Sequence, residues 1–137
     1  MMSVNAFKGV EVGAGFASSA AFGSELHDEI LFENDKITRS RNNAGGIEGG
    51  MSNAQPIHVK VSMKPISTLI KPLRSIDLNT MEPKLAHKER TDSCAVPAAS
   101  IIGESMLAIV LADALLEKFG GDSIKQLKKH IESSGKY

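Results

Sequence analysis

The first 90 residues carry the hydrophobic pattern of short strands. Residues 57–63 alternate strictly between apolar and polar side chains: Ile57, Val59, Val61 and Met63 against His58, Lys60 and Ser62. Such alternation is typical of a strand with one buried face. Weaker patterns predict strands at residues 4–13 and 73–78, and a hairpin at residues 28–41 that turns at residues 33–35. A turn and a short extended piece are expected at residues 79–90.

Two segments between these strands depart from the alternating pattern. Small residues at helical spacing in "FASSAAFGSEL", residues 16–26, predict a short helix that stops near Gly23. Pro65 and Pro72 cannot lie in a helix interior or a central strand. The chain around the two prolines is therefore expected to follow an extended edge or a loop.

The last 41 residues switch to a helical pattern. A long helix is predicted from Pro97 to the stop signal at Gly120 and Gly121, and a second helix begins with Asp122 as its expected N-cap. Apolar side chains cover nearly every angle of the long helix: Ala98, Ile101, Ile102, Met106, Leu107, Ile109, Val110, Leu111, Leu115 and Leu116. A helix that is apolar all round needs cover on several sides. We therefore predict an α+β domain whose antiparallel sheet packs on a buried long helix.

Composition narrows the possible partners and the compartment. The 137 residues suffice for one domain or a piece of one, and 16 basic residues balance 16 acidic ones, which argues against a nucleic-acid partner. Glu104 and Asp113 interrupt the longest apolar stretch, so we expect no membrane span. Cys94 is the single cysteine, and the first residues lack a signal-peptide pattern. Both features favour the cytoplasm.

The segment "NNAGGIEGGMSN", residues 42–53, contains two glycine pairs and is the strongest candidate for a site. It fits neither the Rossmann nor the Walker spacing. Ile47 and Met51 also interrupt the polarity expected of a flexible linker. Glycine permits positive φ and lets a ligand approach the backbone. The pattern alone leaves a binding site and a tight structural turn equally open.

Other candidate groups carry weaker signals. Lys64 with the hydroxyls of Ser67 and Thr68, in "KPIST", suits an anion or the polar edge of a cofactor. Arg90 and Asp92 precede the long helix, either as a surface ion pair or as a catalytic carboxylate beside an anion-binding guanidinium. The glycines at residues 13–15 only partly match a dinucleotide fingerprint. The four histidines show no metal-ligand spacing, so no metal site is expected.

Six blocks, in order, resemble the C-terminal part of chorismate synthase: "GVEVGAGF", "GSELHDE", "NNAGGIEGGMSN", "KPISTL", "RTDSCAVPAA" and "LADALLEKFGGDS". The resemblance covers essentially all of residues 1–137 as a single region. It implies a cytoplasmic lyase that eliminates phosphate and a ring proton from 5-enolpyruvylshikimate 3-phosphate, in an anti-1,4 sense, to give chorismate. It also implies a β-α-β sandwich fold, a homotetramer, reduced FMN as cofactor and NADPH as a candidate flavin reductant.

The resemblance also assigns roles to individual residues. The positions that match the family's FMN contacts are Asn5, Ala6, Gly49, Lys64, Pro65, Ile66, Ser67, Thr68 and Arg90, and Asp92 matches an aspartate of a proton network near the flavin. Thr91 departs from the Ser or His that often stands between the Arg and the Asp. The family's substrate-binding arginines, two catalytic histidines and one FMN-contacting segment belong to an N-terminal part that is absent from these 137 residues.

Two functional hypotheses follow. In the first, the chain is the flavin-binding C-terminal portion of a chorismate synthase and is inactive without the N-terminal part. In the second, it is a non-catalytic truncated remnant that folds or self-associates, because one small domain cannot cover its apolar helix on all sides.

Overall fold

The computed structural model describes residues 1–89 and 94–135, and the chain divides into two compact units, Met2–Pro65 and Ile66–Tyr137. In chain order the elements are β1 (Phe7–Val12), a 3₁₀ helix (Gly15–Ala20), α1 (Gly23–Leu26), β2 (Ile30–Glu33), β3 (Lys36–Arg39), β4 (Ile47–Glu48), β5 (Met51–Ser52), β6 (Val59–Met63), β7 (Arg74–Ile76), β8 (Pro83–Leu85), α2 (Val96–Phe119) and α3 (Ile124–Ser133). The described strands form antiparallel pairs, β1 with β6, β2 with β3, β4 with β5 and β7 with β8. The α+β class is confirmed.

The β1–β6 pair joins the first and last strands of the unit Met2–Pro65. Val12 lies opposite Val59, Glu11 opposite Lys60 and Phe7 opposite Met63, with an irregularity between Phe7 and Gly9. Phe7 is buried, and the Glu11 carboxylate pairs with the Lys60 ammonium at 2.9 Å. Both strands predicted from the alternating pattern are confirmed, although β6 begins at Val59.

The β2–β3 hairpin turns where the sequence predicts. Asn34 and Asp35 have φ of +51° and +58°, which a two-residue turn of type I′ requires and which Asn and Asp tolerate. The short helix predicted to stop near Gly23 is present as the 3₁₀ helix Gly15–Ala20, which ends earlier than expected. The chain is extended at Phe22, and α1 begins at Gly23 instead of ending there, with the Phe22 N–H donating to the Glu25 carboxylate at 3.2 Å.

The unit Ile66–Tyr137 begins with a second hairpin. Ser75 of β7 lies opposite Lys84, and Ile76 lies opposite Pro83. Pro83 is tolerated because both strands of a two-stranded pair are edge strands, and an N–H that faces outward makes no hydrogen bond within the sheet. Asp77, just after β7, pairs with the Lys84 ammonium at 2.9 Å. The strand predicted at residues 73–78 is confirmed as β7.

The extent of α2 is confirmed, but its predicted burial is wrong for this chain. Ala99 and Gly103 are the buried residues of the helix, whereas Ile101, Ile109 and Val110 are each about 60% exposed. The physical reason is that α3 is the element that packs mainly against α2 among the described residues, so most of the helix surface lacks cover there. An 18-residue stretch of α2 has a mean hydropathy of 1.8, so the helix is long and apolar enough to cross a membrane, although the core helix of a soluble protein has the same character.

The junction between α2 and α3 is held by polar contacts. The helix N-cap is Ser123, not the predicted Asp122, and its hydroxyl accepts from the Gln126 N–H at 3.3 Å. The Asp122 N–H instead donates to the Gln126 side-chain oxygen at 2.7 Å. Nδ1 of His130 lies 2.7 Å from the carbonyl oxygen of Phe119, so a side chain of α3 caps the end of α2. Leu127 of α3 is buried.

Candidate functional site

The start of β1 and the end of β6 bring two predicted site segments together. The Lys64 N–H donates to the carbonyl oxygen of Ala6 at 2.7 Å. Ala6 has φ of +67°, a left-handed conformation in the turn closed by the Phe7 N–H and the Val4 carbonyl at 3.2 Å. Such a conformation is uncommon for a residue with a Cβ and is held here by the strand end. Ala6 and Lys64 are therefore fixed side by side.

The side chains at this strand end are available to a ligand. Asn5 and Lys64 are exposed, and the Lys64 ammonium makes no ion pair with any residue that the structure describes. The rest of the segment, Ile66, Ser67 and Thr68, belongs to the unit Ile66–Tyr137. Ser67 is exposed and Thr68 is half-buried.

Gly49 and Gly50 form the turn of the β4–β5 hairpin. Their φ angles are +57° and +77°, the pattern of a type I′ turn. A Cβ added at either glycine would meet no atom of the described residues within 4 Å, so the rest of that part of the chain leaves the backbone of the turn open. The structure therefore makes the second glycine pair a tight turn and also leaves its surface free for a ligand. No hydrogen bond joins the turn to Ala6 or Lys64 among the residues described.

The first glycine pair has a different role. A Cβ on Gly45 would collide with the backbone nitrogen of Gly13, and one on Gly46 would lie 2.6 Å from the carbonyl oxygen of Pro56. Both glycines are buried and have positive φ. These positions need glycine because three backbone segments meet there.

A polar frame holds the glycine segment against the rest of its unit. The Asp28 carboxylate accepts the N–H groups of Asn43 and Ala44 at 3.0 and 2.9 Å. The Asn42 side chain accepts the Gly46 N–H at 2.8 Å and donates to the Pro56 carbonyl at 2.9 Å. Asp28 and Asn42 were not among the residues predicted from the sequence. A signal was present, because Asp and Asn side chains commonly bond to nearby backbone beside glycine turns.

Glu48, which immediately precedes Gly49, is the acceptor of a second network. Its Oε2 atom receives N–H groups from Asn53 at 2.8 Å and from the Arg39 guanidinium at 3.0 and 3.3 Å. These hydrogen bonds, the Asn53 bond first, lower the pKa of Glu48, so the carboxylate is ionised at neutral pH. A cavity of about 250 Å³ lies beside this network, lined by Asp28, Asn43 and Glu48 among others.

Arg90 and Asp92, the predicted FMN-binding arginine and catalytic aspartate, lie outside the described residues. Their roles stay predictions.

Comparisons with known proteins agree with this arrangement of segments. The family profile described as chorismate synthase matches residues 1–116. The chain belongs to the chorismate synthase family. Chorismate synthase of Aquifex aeolicus is 59% identical over 133 residues, which cover 96% of this chain and 33% of that protein. Chorismate synthase of Syntrophotalea carbinolica is 49% identical over 137 residues, all of this chain and 35% of that protein.

A solved structure titled "Crystal Structure of Chorismate Synthase" has the same fold over 97% of this chain, with 46% identity and a TM-score of 0.73. The match covers 32% of the solved chain. The chain thus spans about a third of the length of these chorismate synthases. The resemblance stated from the six sequence blocks is confirmed at the level of family and fold.

Proposed function

We propose that this chain provides the flavin-contacting part of a chorismate synthase, a lyase of the shikimate pathway and of aromatic amino acid biosynthesis. The reaction is the anti-1,4 elimination of phosphate from 5-enolpyruvylshikimate 3-phosphate, which gives chorismate. The phosphate leaves with the electron pair of its C–O bond, a ring proton is removed, and the electrons of the broken C–H bond enter the new diene. The observation that supports the proposal is the bond between Ala6 and Lys64, which joins two flavin-contacting segments that are distant in sequence.

The described residues fit an anionic, flat cofactor. Lys64 offers an exposed ammonium without an ion pair among the described residues, and a cation suits the phosphate of FMN. The open backbone of the Gly49 turn allows a planar ring to approach without a Cβ in its way. Reduced FMN is required by this reaction although no net oxidation occurs.

The remaining roles follow the family resemblance. By that resemblance, each of the following residues is proposed to contact FMN: Asn5, Ala6, Lys64, Ile66, Ser67 and Thr68. Arg90 would pair with an anionic group, since a guanidinium presents a fixed fork of donors. Asp92 would hold a proton in the network near the flavin.

The complete reaction is assigned to a polypeptide that carries the family's other segments together with this one, because the chain spans about a third of its relatives. We propose that such a protein is a cytoplasmic homotetramer and that NADPH is a candidate reductant of its flavin.

A chimeric enzyme tests this function. In chorismate synthase of Aquifex aeolicus the segment matched by this chain, 59% identical, is replaced by residues 1–137. We expect the chimera to form chorismate with reduced FMN, measured by absorbance, and to lose most of that activity on Lys64→Ala or Asp92→Ala. A matched control is Lys71→Ala, which changes an exposed lysine outside the predicted site. An inactive chimera, or full turnover in both site variants, would contradict the proposal.

The alternative function is that of a non-catalytic chain that folds and self-associates. The exposure of Ile101, Ile109 and Val110 on α2 favours it, because contiguous apolar surface promotes association. Sedimentation of the purified 137-residue chain decides between the two. A monomer at low concentration counts against self-association, whereas a concentration-dependent oligomer without chorismate formation in the chimera supports it.

A further inference from the structure

The β4–β5 hairpin has little support of its own. Its strands are two residues long, Ile47–Glu48 and Met51–Ser52, and an isolated two-stranded hairpin is marginal in water. Gly49 and Gly50 have no side chains to pack, and no residue that the structure describes comes within 4 Å of the positions that their Cβ atoms would take. The orientation of the turn must therefore be set by the residues that flank it.

Glu48 provides that connection. Its Oε2 atom is bound from one side by Asn53, which follows β5, and from the other by Arg39, the last residue of β3. The first contact links the two arms of the hairpin. The second links the hairpin to a strand of another sheet, since β2–β3 and β4–β5 are separate pairs.

Arg39 is suited to this task by its geometry and its burial. Two of its nitrogens, Nη2 at 3.0 Å and Nε at 3.3 Å, converge on the same carboxylate oxygen. Its side chain is 14% exposed, against 40% for Glu48. A half-shielded pair with charge-assisted bonds holds its geometry better than an exposed surface pair. A lysine would offer a single point of charge without the planar fork.

We propose that Arg39 is a positioning residue that, by holding the Glu48 carboxylate, fixes the Gly49–Gly50 turn in the orientation in which it meets the flavin. The proposal rests on the flavin function proposed above. Arg39 acts through Glu48 and does not itself contact the cofactor.

The first test measures the turn without flavin, in the 137-residue chain. The Asn53 N–H, bonded to the Gly46 carbonyl at 3.0 Å, reports hairpin closure. We expect Arg39→Gln to raise its exchange rate about tenfold, as for the loss of a hydrogen bond to a charged group, and to lower the order parameters of Gly49 and Gly50. The Lys64 N–H, bonded to Ala6, should be unchanged. Unaltered exchange at Asn53 overturns the proposal.

The second test measures FMN affinity of the same chain by fluorescence titration. Arg39→Gln is expected to weaken binding about fivefold, with partial recovery in Arg39→Lys. The matched control is Lys60→Gln, which removes the Glu11–Lys60 pair of the same unit and should leave affinity unchanged. Equal loss in the control, or full affinity in Arg39→Gln, overturns the proposal.

A third variant, Glu48→Gln, controls for misfolding. The FMN titration of the wild-type protein separates the positioning by Arg39 from the proposed flavin function. Glu48→Gln and Arg39→Gln act on one contact, so their effects on Asn53 exchange should be non-additive in the double variant. Additive effects contradict the proposal. If the wild-type chain binds no FMN, the titration is made in the chimera, where full affinity in Arg39→Gln overturns the proposal. If the wild-type chimera binds no FMN either, the flavin function fails, and the exchange data alone uphold or overturn the positioning by Arg39.

Discussion

Gly49 and Gly50 share a backbone conformation, so they form a matched pair for substitution. Both have positive φ, and a Cβ on either would contact none of residues 1–89 and 94–135. Valine at either position therefore carries a similar backbone strain of about 1–3 kcal/mol. We expect Gly49→Val in the chimera to weaken FMN binding far more than Gly50→Val, with similar losses of thermal stability. Equal affinities in the two variants would return the segment to a purely structural turn.

The pKa of Asp77 provides a test of its ion pair with Lys84. The Lys84 ammonium, and then the Asn79 N–H, lower its pKa from the ordinary value of 3.8. A lowered folded-state pKa means that the stabilisation is present above the unfolded value and is lost as pH falls through the folded value. We expect Lys84→Met to raise the Asp77 pKa toward 3.8 in an NMR titration, whereas Lys71→Met leaves it in place. An unmoved pKa in Lys84→Met would contradict the ion pair.

The two glycine pairs of residues 42–53 have different structural roles that the sequence could not distinguish. The sequence left site and turn equally open, and the structure divides the question between Gly45–Gly46, buried at a backbone crossing, and Gly49–Gly50, exposed in a turn. Spacing alone could not make this division, because the colliding atoms belong to Gly13 and Pro56, which are distant in sequence. The Arg39–Glu48 pair was missed for the same reason, since it joins two hairpins.

At the scale of elements, the start of α3 is capped by the hydroxyl of Ser123. Ser123 caps α3 by accepting the Gln126 N–H, and loss of an N-cap costs about 1 kcal/mol. We expect Ser123→Ala to reduce the stability of α3 by that amount and to speed exchange of the Gln126 amide. Asp122→Ala is the control, because the Asp122 contact uses its backbone N–H. A larger effect of Asp122→Ala would restore the predicted cap.

Element types were predictable where one period dominated over enough residues. The alternation at residues 57–63 predicted β6, and the turn at residues 33–35 predicted the β2–β3 hairpin. Pro97 and Gly120 predicted the limits of α2. The short helix predicted to stop near Gly23 ends at Ala20, and Gly23 starts α1, because glycine is found at either end of a helix. The cap of α3 was wrong by one residue, since Asp and Ser both serve as N-caps.

At the scale of the whole molecule, the exposure of α2 is the feature in which we expect this chain to differ from the longer chorismate synthases. The apolar pattern predicted that α2 is buried, but the helix is largely exposed in the part of the chain that the structure describes. The prediction failed because an apolar pattern shows that a helix needs cover without showing which segment provides it. The relatives are about three times as long as this chain. We infer that the additional chain covers α2 in the complete enzyme.

The substitution Ile109→Lys tests that inference by comparing two contexts. In the 137-residue chain Ile109 is 61% exposed, so we expect a change in unfolding free energy within about 0.5 kcal/mol and weaker binding of a hydrophobic dye. In the chimera with the Aquifex aeolicus enzyme the same lysine would be buried without a partner, which costs at least about 3 kcal/mol. Lys129→Glu, on exposed α3 surface, should stay within about 0.5 kcal/mol in both proteins. Similar small effects of Ile109→Lys in both, measured by denaturant unfolding, would mean that the face of α2 stays open even in the full-length fold, and its apolar character would then have to be explained by association between copies.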